Sequence, residues 1–274
     1  MPPMQARSSS YPHRIVCLTG ETTEALYLLE EDWRIVGISG FTVRPARARR
    51  EKRRIAAFTS ANLPAILELE PDLVLGFSDL QADLAAEVIR RGVAVHVFNQ
   101  RSVAGILQMV RVLGGIVGCA DRAERLCDRL HASIEQVRSS AASLKRRPKV
   151  YFEEWDRPLI SGIRWVSELV EIAGGEDVFA DNACAALARD RIISDPREVV
   201  RRAPDIIVGS WCGKRFRPQK VVARAGWEAI PAVRNGEMHE IKSPLILQPG
   251  PAALTEGLQA LHAIFAAWDA KQDS

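Results

Sequence analysis

The densest group of side chains able to do chemistry lies between residues 153 and 165. Glu153, Glu154 and Asp156 surround Trp155, and a second tryptophan, Trp165, follows ten residues later. Carboxylates at a strand end accept hydrogen bonds or bind a hard cation, and an indole offers a flat face to a ring-shaped ligand. A surface hairpin with one core tryptophan gives the same pattern, so the sequence leaves both interpretations open.

A cysteine beside basic residues forms a second candidate. Cys212 follows Ser210 and Trp211 and precedes Lys214 and Arg215. Nearby cations lower the pKa of a thiol, so the pattern predicts a nucleophile or a soft metal ligand. The sequence identifies no histidine or aspartate as a catalytic partner, and free cysteines are more often small buried hydrophobic residues.

A short polar turn with the sequence TGET, residues 19–22, follows the first predicted strand. Backbone N–H groups at the start of a helix favour an anion, which makes Thr22 a candidate ligand contact. Helix capping explains the same residues equally well, and both interpretations stay open here.

Basic residues are concentrated in two segments of a chain whose net charge is only +3. The first basic segment, residues 44–54, carries +6 and the second basic segment, residues 214–224, carries +5, which leaves −8 for the rest. Both follow predicted strands, so together they could attract an anionic ligand or partner, although two solvated loops are the alternative. No nucleic-acid-binding motif accompanies them, and we expect no nucleic-acid partner.

Short runs rich in β-branched residues alternate with helix-like stretches, which predicts βαβ units and mostly parallel sheets. Apolar residues recur every three or four positions over residues 121–147, which predicts one long helix ended by Pro148. We predict a disordered segment over residues 1–12, an N-terminal α/β lobe over 13–102, a helical region over 103–147 and a C-terminal α/β lobe over 148–270. Strands are expected at residues 14–18, 34–39, 73–77, 94–98, 149–155, 159–162, 205–210 and 237–242.

Composition and the N-terminal sequence bear on where the protein works. With 47% apolar and 26% charged residues, the chain has the composition of a globular protein and not of a disordered or fibrous one. Its first apolar run, residues 15–18, is shorter than the core of a signal peptide, and its five cysteines are widely spaced. We therefore expect a cytoplasmic protein without a membrane-spanning helix, or a periplasmic one if the start site is misassigned.

Three segments carry a resemblance to a known family: RIVCLTGETTEALYLLEEDWRIVGISG, FTSANLPAILELEPDLVLG and LVEIAGGEDVF. They resemble the substrate-binding proteins of iron-siderophore and cobalamin ABC importers, specifically the cobalamin-binding type, and the resemblance extends over residues 13–265. It implies an α/β protein with two Rossmann-like lobes, each with a central, mostly parallel sheet, joined by one long backbone α-helix. It also implies that the ligand lies in the cleft between the lobes.

The resemblance implies which side chains would contact the ligand. The family's first-lobe cleft tryptophan and its cleft tyrosine correspond to Phe58 and Phe41, and the second-lobe cleft tryptophan is replaced near Arg191. The glutamates that dock onto an ABC permease correspond to Pro64 and Arg197. We expect apolar walls from Phe41, Phe58, Trp155, Trp165 and Trp211, and polar contacts from Thr22, Arg44, Glu154, Arg164, Ser210, Cys212 and Gln248.

These expectations combine into a protein that captures a corrinoid or another metal-chelate ligand, without covalent chemistry and without a required cofactor. The expected ligand is cobalamin or a related corrinoid, or another small molecule that is anionic or a metal chelate. An ABC permease is a candidate partner, and the two docking positions, Pro64 and Arg197, are altered. The alternative is a cytoplasmic enzyme or metallochaperone on the same scaffold, using Glu153, Glu154, Asp156 and Cys212. Fold alone does not decide between the two.

Overall fold

The computed structural model describes residues 10–56 and 62–272. The chain forms two compact units. Unit 1 comprises Met1–Gln100 and Leu107–Cys127, and unit 2 comprises Arg101–Ile106 and Asp128–Ser274.

Unit 1 is built around a parallel sheet, whose five strands among the described residues have the order β3-β2-β1-β4-β5. Its strands are β1 Ile15–Cys17, β2 Ile35–Ser39, β3 Arg53–Ala56, β4 Leu73–Phe77 and β5 Ala94–Phe98. Strand β4 is buried along its whole length, as expected for a continuous apolar run in a sheet covered on both faces. Its helices are α1 Gly20–Leu28, α2 Ala48–Glu51, α3 Leu63–Leu67 and α4 Ala82–Arg90, with 3₁₀ turns at Asp32–Arg34 and Asp79–Gln81. Helices α5 Val103–Ile116 and α6 Ala120–Ala141 have residues in both units.

Unit 2 contains a second sheet, of order β10-β9-β6-β7, in which β6, β9 and β10 are parallel and β7 forms an antiparallel hairpin with β6. A short strand, β8, pairs with the start of β6. The strands are β6 Lys149–Asp156, β7 Leu159–Ser161, β8 Glu176–Asp177, β9 Ile206–Gly209 and β10 Met238–Glu240. The fold class predicted from the sequence, α/β with two mostly parallel sheets and a long helix, is confirmed.

The helices of unit 2 surround that sheet. They are α7 Arg164–Ile172, α8 Ala180–Ala183, α9 Arg197–Arg202, α10 Pro218–Val222, α11 Pro231–Arg234, α12 Ser243–Ile246 and α13 Leu258–Lys271, with 3₁₀ turns at Ala188–Arg191 and Trp227–Ala229 and a π-helical turn at Ala253–Gly257. Aromatic residues from the sheet and the loops, including Tyr151, Phe179, Trp211 and Trp227, form the core beneath β6 and β9.

The long helix α6 begins in unit 1 and continues into unit 2. Its predicted apolar positions are all buried: Ala123, Leu126, Cys127, Leu130, Ile134 and Val137. The predicted end at Pro148 is wrong, because α6 ends at Ala141. The backbone N–H groups of Lys145 and Arg146 instead donate to the carboxylate of Asp269, which holds this segment in a non-helical path.

The first basic segment is not a loop throughout, as its charge pattern suggested. It contains helix α2 and the start of strand β3, in which Arg53 and Arg54 pair with Gly37 and Ile38 of β2. Strand β3 lies at the edge of the sheet, where arginine side chains reach solvent without crossing the core.

Candidate functional site

The carboxyl ends of the strands are the places to look for a binding site in open α/β sheets. In unit 1, β1 ends at Cys17 and leads through Thr19 into helix α1. Thr22 is fully buried, and its Oγ1 donates to the Thr19 carbonyl at 3.3 Å. The hydroxyl of Thr22, which was predicted to contact the ligand, therefore binds within the turn and does not lie at the surface.

Glu21 lies in the first turn of α1 and is only 3% exposed. Its Oε1 atom has no hydrogen-bond partner in the structure. Burial raises the pKa of Glu21 from 4.5 to about 7, although hydrogen bonds from its own backbone and from Thr19 act in the opposite direction. A carboxyl of this kind carries a proton over much of the neutral range.

Strand β2 ends in a loop that presents Phe41, which is 58% exposed. Arg44, from the same loop, donates through Nε to Oε1 of Glu24 at 2.8 Å, and Glu24 is nearly buried. Phe41 thus offers an apolar face to solvent, while Arg44 is held by an ion pair. Phe58, the other predicted aromatic contact of this lobe, lies outside the described residues.

In unit 2, the acidic end of β6 is held by basic residues of the same unit. Glu153 is fully buried, and its carboxylate accepts hydrogen bonds from Arg224 at 2.5 and 2.8 Å. The indole N–H of Trp211 donates to the same carboxylate at 2.9 Å. Glu153 is therefore a structural anion with its acceptor oxygens occupied, and it does not face an open site.

Glu154, the next residue, lies where the pairing of β6 with β7 is irregular, and it is half-buried. Arg191, whose side chain is 1% exposed, donates to both of its oxygens at 2.6 and 3.2 Å. Arg191 also donates to the Ser161 carbonyl of the hairpin. The predicted ligand contact Glu154 is thus fixed by a bidentate arginine, which is the strongest common geometry for such a pair.

Asp156 at the end of β6 binds the ammonium group of Lys214, with Lys220 3.8 Å away. Burial alone would raise the pKa of Asp156, but the hydrogen bond and charge of Lys214 outweigh it and lower the pKa below its ordinary value. The same ammonium lies 3.8 Å from the ring centre of Trp155 and 5.0 Å from that of Trp211. Lys214 is therefore held by one carboxylate and two indole faces.

The predicted activation of Cys212 is wrong. The side chain is exposed, but partial desolvation of the thiol and the nearby charge of Glu154 raise its pKa above the ordinary value. Lys214, which was expected to lower that pKa, is committed to Asp156. Within the described residues, moreover, no three His, Cys, Asp or Glu side chains are arranged to hold a metal ion. The activated thiol that the enzyme or metallochaperone alternative relied on is therefore not what the structure shows at Cys212.

The other predicted contacts of unit 2 differ in accessibility. Trp165 is 3% exposed and donates through its indole N–H to the Ile246 carbonyl at 2.9 Å, and Trp211 is 2% exposed. Trp165 therefore offers no open indole face to a ligand, whereas Trp211, although almost fully buried, lines the cavity described below. Ser210 is buried with no partner for its hydroxyl, Arg164 is exposed and pairs with Glu168, and Gln248 is half-buried. Trp155 is half-buried, and its indole N–H donates to the Arg157 carbonyl.

A cavity of about 590 Å³ opens at the carboxyl ends of β9 and β10, and we call it the strand-end cavity. Its charged lining comprises Lys214, Arg215 and Lys242 together with a single acid, Glu240. Gly209 ends β9 beside it, where a Cβ atom would overlap the ring of Phe216. The backbone and the basic residues of this cavity suit a ligand that carries hydrogen-bond acceptors or negative charge.

The sequence pointed to the acids of β6 but not to their partners. Arg224 lies 71 residues from Glu153 along the chain, and Arg191 lies 37 residues from Glu154. The feature of the sequence that could have indicated these partners is the charge of the second basic segment, which has five basic residues and no acid. Such an excess beside a strand end is typical of cations that neutralise buried acids elsewhere in the fold.

Comparison with known proteins agrees with this architecture. A family model described as periplasmic binding protein matches residues 15–245. A cobalamin-binding protein of Halobacterium salinarum is 24% identical over 253 residues, covering 88% of this chain but 66% of the relative, just under two thirds. A vitamin B12-binding protein of Vibrio parahaemolyticus is 21% identical over 245 residues, covering 88% of this chain and 85% of the relative.

A solved structure shows the same fold. The periplasmic heme-binding protein of Roseiflexus sp. RS-1, in its apo form, superposes with a TM-score of 0.78 at 23% identity, covering 92% of this chain and 98% of the other. In the described part of the chain, no helix has the length and apolar character needed to cross a bilayer.

The predicted cytoplasmic location is wrong. It was based on the short first apolar run and the spacing of the cysteines, neither of which reports directly on where a protein works. The matching family consists of periplasmic binding proteins, which points to an extracytoplasmic location. Over residues 15–245, and with the two-sheet α/β architecture described above, this chain belongs to the periplasmic binding protein family.

Proposed function

We propose that this protein captures a corrinoid, or a chemically similar metal chelate, and holds it without covalent change. The observation that carries the proposal is the strand-end cavity of unit 2, which is open to solvent and lined by three basic residues and one acid. A corrinoid presents amide, carboxylate or phosphate oxygens around a large ring, and cationic side chains bind such oxygens. The relatives named for cobalamin and vitamin B12 binding cover 88% of this chain and support that ligand class.

The proposal uses a smaller set of side chains than the sequence suggested. In unit 1, Phe41 is a separate candidate contact, because its aromatic face is exposed. In unit 2, Arg215 and Lys242 supply positive charge, and Lys214, which is paired with Asp156, lies against the ring of Trp155. Trp165 and Trp211 support these groups from the core, and Glu154 positions Arg191.

The direct test is a titration of the purified protein with cobalamin, cobinamide and haem, followed by quenching of its six tryptophans. We expect saturable quenching by at least one of them with a Kd below about 10 μM, which corresponds to a binding free energy near −7 kcal/mol. No response to any of the three at about 50 μM would contradict the proposal.

Two variants separate ligand contact from general surface effects. Phe41→Ala removes an exposed aromatic face, and we expect it to weaken binding by about tenfold, the usual loss for a stacking contact. Ile89→Ala is the matched control, because Ile89 is 59% exposed but lies on helix α4 and not in a loop after a strand. Equal effects of the two substitutions would remove Phe41 from the site.

Delivery to an ABC permease belongs to the same proposal, with altered contacts. Pro64 lies in the first turn of α3, and Arg197 begins α9 with its side chain paired to Asp195. The neighbouring acid Glu198 is occupied by Arg201 and Arg202. A permease that accepts this chain must therefore recognise groups other than two free docking glutamates, and we expect it to carry acids opposite Arg197.

A further inference from the structure

The first basic segment leads to the end of unit 1 that lies opposite the carboxyl ends of its strands. Helix α2 packs there against the 3₁₀ turn before β2: Arg47 Nη2 lies 3.9 Å from the Asp32 carboxylate, and Lys52 Nζ donates to the Asp32 carbonyl at 2.6 Å. The same turn carries Trp33. Trp33 precedes β2 and Phe41 follows it, so the two residues lie beyond opposite ends of that strand.

Two large apolar side chains are exposed at this end of unit 1. Trp33 is 52% exposed, whereas the other five tryptophans are buried or half-buried. The guanidinium of Arg34 lies 4.3 Å from the centre of the Trp33 ring, and the ring of His13 meets it edge-on at 5.6 Å. Leu28 is 44% exposed at the end of α1, whose preceding residues are all buried. An indole held in this way can bind a partner with little loss of side-chain freedom.

Three arginines beside these apolar side chains have no ion pair within the part of the chain that the structure describes. Arg49 and Arg50 lie on α2, Arg54 lies on the edge strand β3, and all three are exposed. Ala48 is fully buried, so α2 faces the unit with that side and presents Arg49 and Arg50 to solvent. Guanidinium groups without a partner in the protein can bind phosphate oxygens, which match their planar fork.

The acidic residues near these arginines are mostly engaged. Asp32, Glu51 and Glu68 each have a partner, and the partners are, in that order, Arg47, the hydroxyl of Tyr27 and Arg53. Glu30, in the turn after α1, is exposed and offsets one of the three free arginine charges. This end of unit 1 therefore keeps a net positive charge at its surface.

The combination of free arginines with an exposed indole favours a lipid surface over a protein partner. The core of a protein interface is depleted in charged residues, whereas here the two apolar side chains are flanked by three arginines. Tryptophan is enriched at the boundary between headgroups and acyl chains, and apolar side chains next to it enter the same layer. Basic side chains beside them bind the phosphates of anionic lipids.

We propose that this surface, which we call the α2 surface and which comprises Leu28, Trp33, Arg49, Arg50 and Arg54, adsorbs to an anionic lipid bilayer. The arginines bind the phosphates of the headgroups, and Trp33 and Leu28 enter the layer beneath them. Adsorption is reversible, because a few charges and two apolar side chains give less binding energy than a stable membrane anchor needs. The proposal does not depend on the ligand of the strand-end cavity, and a chain that binds no corrinoid should still adsorb.

The first test is co-sedimentation of the full chain with vesicles of phosphatidylcholine that contain about 40% phosphatidylglycerol. We expect binding at least about fivefold weaker on pure phosphatidylcholine, and weaker binding to the anionic vesicles when the salt is raised from about 50 to about 300 mM. No sedimentation with the anionic vesicles would overturn the proposal. Binding to polyglutamate in the absence of vesicle binding would also overturn it, and would assign the α2 surface to an acidic protein.

Two triple variants with the same change of net charge separate the α2 surface from the charge of the whole chain. Replacing its three arginines by glutamine should weaken vesicle binding by about tenfold or more. The control replaces three exposed arginines elsewhere in unit 1 that also have no ion pair among the described residues: Arg90, Arg91 and Arg125. The control should change binding by less than about twofold, and equal losses in the two triple variants would overturn the proposal.

The exposed indole provides a readout of depth that net charge does not affect. Phosphatidylglycerol brominated near the start of its acyl chains quenches a tryptophan that enters the bilayer interface, and Trp33 is the most exposed of the six. We expect these vesicles to quench the fluorescence of the parent, and Trp33→Phe to lose most of that quenching. Quenching that is unchanged in Trp33→Phe would mean that another surface meets the lipid, and would overturn the proposal.

Discussion

The first strands of the two units each end beside a buried glutamate, and the two glutamates are treated in opposite ways. Glu153, at the end of β6, is held by Arg224 and by the indole of Trp211. Glu21, just after β1, is 3% exposed, has an unpartnered oxygen and a pKa raised to about 7. A buried glutamate is therefore held by an arginine and an indole in unit 2, whereas in unit 1 it has an unpartnered oxygen and a raised pKa.

The two basic segments explain the difference. In the second basic segment, Lys214, Lys220 and Arg224 turn inward to Asp156 and Glu153. In the first basic segment, Arg49, Arg50 and Arg54 remain exposed, and none of them reaches Glu21. Arg44 of the first basic segment also binds a buried acid, Glu24, so the two segments differ in which buried acids their basic residues reach: the second segment reaches Glu153 and the first does not reach Glu21.

The largest effect is expected from Arg224→Met, which keeps the alkyl stem over Trp227 but leaves Glu153 charged and buried without its main partner. The free energy of unfolding at pH 7 should fall by about 3–5 kcal/mol, as measured by urea unfolding. Arg50→Met in the first basic segment is the control and should change it by less than about 0.5 kcal/mol. Equal losses of unfolding free energy in Arg224→Met and Arg50→Met would contradict the difference proposed between the second and the first basic segment.

If Arg224→Met does not fold, the double variant Arg224→Met with Glu153→Gln gives a second measurement. Neutralising the orphaned carboxylate removes the cost of a buried unpaired charge, so the double variant should recover part of the lost stability. A double variant no more stable than the single one would show that the ion pair is not the cause.

The next effect is expected from Glu21→Gln and depends on pH. Because the pKa of Glu21 is 4.5 ordinarily and about 7 when folded, the folded protein binds the extra proton between these values, and its stability falls as the pH rises from 4.5 to 7. The variant removes this loss, so at pH 8 its free energy of unfolding should exceed that of the parent by up to about 3 kcal/mol. At pH 4 the two should be alike.

Glu24→Gln is the matched control for that prediction. Glu24 is also nearly buried and lies three residues further along α1, but Arg44 binds its carboxylate. Its substitution should lower the free energy of unfolding at pH 8. Stabilisation by both substitutions would show that burial of α1, and not the missing partner of Glu21, determines the response.

The smallest effect is expected from Lys214→Met, which removes the cation held by Asp156 and the two indoles. The free energy of unfolding at pH 7 should fall by about 1–2 kcal/mol. The folded pKa of Asp156 is lowered, so the stabilisation is present above pH 3.8 and is lost as the pH falls through the folded pKa. The difference in free energy of unfolding between parent and variant should therefore be smaller in urea titrations at pH 3 than at pH 7. An equal difference at both pH values would show that Lys214 stabilises the fold through the indole contacts alone.

Much of the fold could be predicted from local patterns in the sequence. The apolar runs at residues 73–77 and 94–98 coincide with β4 and β5, and the apolar spacing of α6 identified its buried face. Strand β3 was missed because its arginines mask an edge position, where strand pairing does not require an apolar sequence. The end of α6 was missed because Asp269, which fixes the segment after it, lies 123 residues away from Arg146.

The candidate site was harder to predict than the fold. The sequence identified the acids and tryptophans near residue 155, but not that Trp165 and Trp211 are buried and that Arg191 and Arg224 occupy the acids. These pairings join positions far apart in the chain, and one sequence contains no direct signal for them. The pKa of Cys212 shows the limit most clearly, because the cation next to it in sequence binds another group in space.

The distribution of thiols between core and surface has a practical consequence for experiments on this protein. Cys17, Cys119 and Cys127 are buried, and burial raises the pKa of Cys17 to about 12, whereas Cys184 and Cys212 are exposed and belong to unit 2. A maleimide reagent should therefore attach to unit 2 alone in the native state, without any engineered cysteine. The raised pKa of Cys212 should slow its reaction with maleimide near neutral pH.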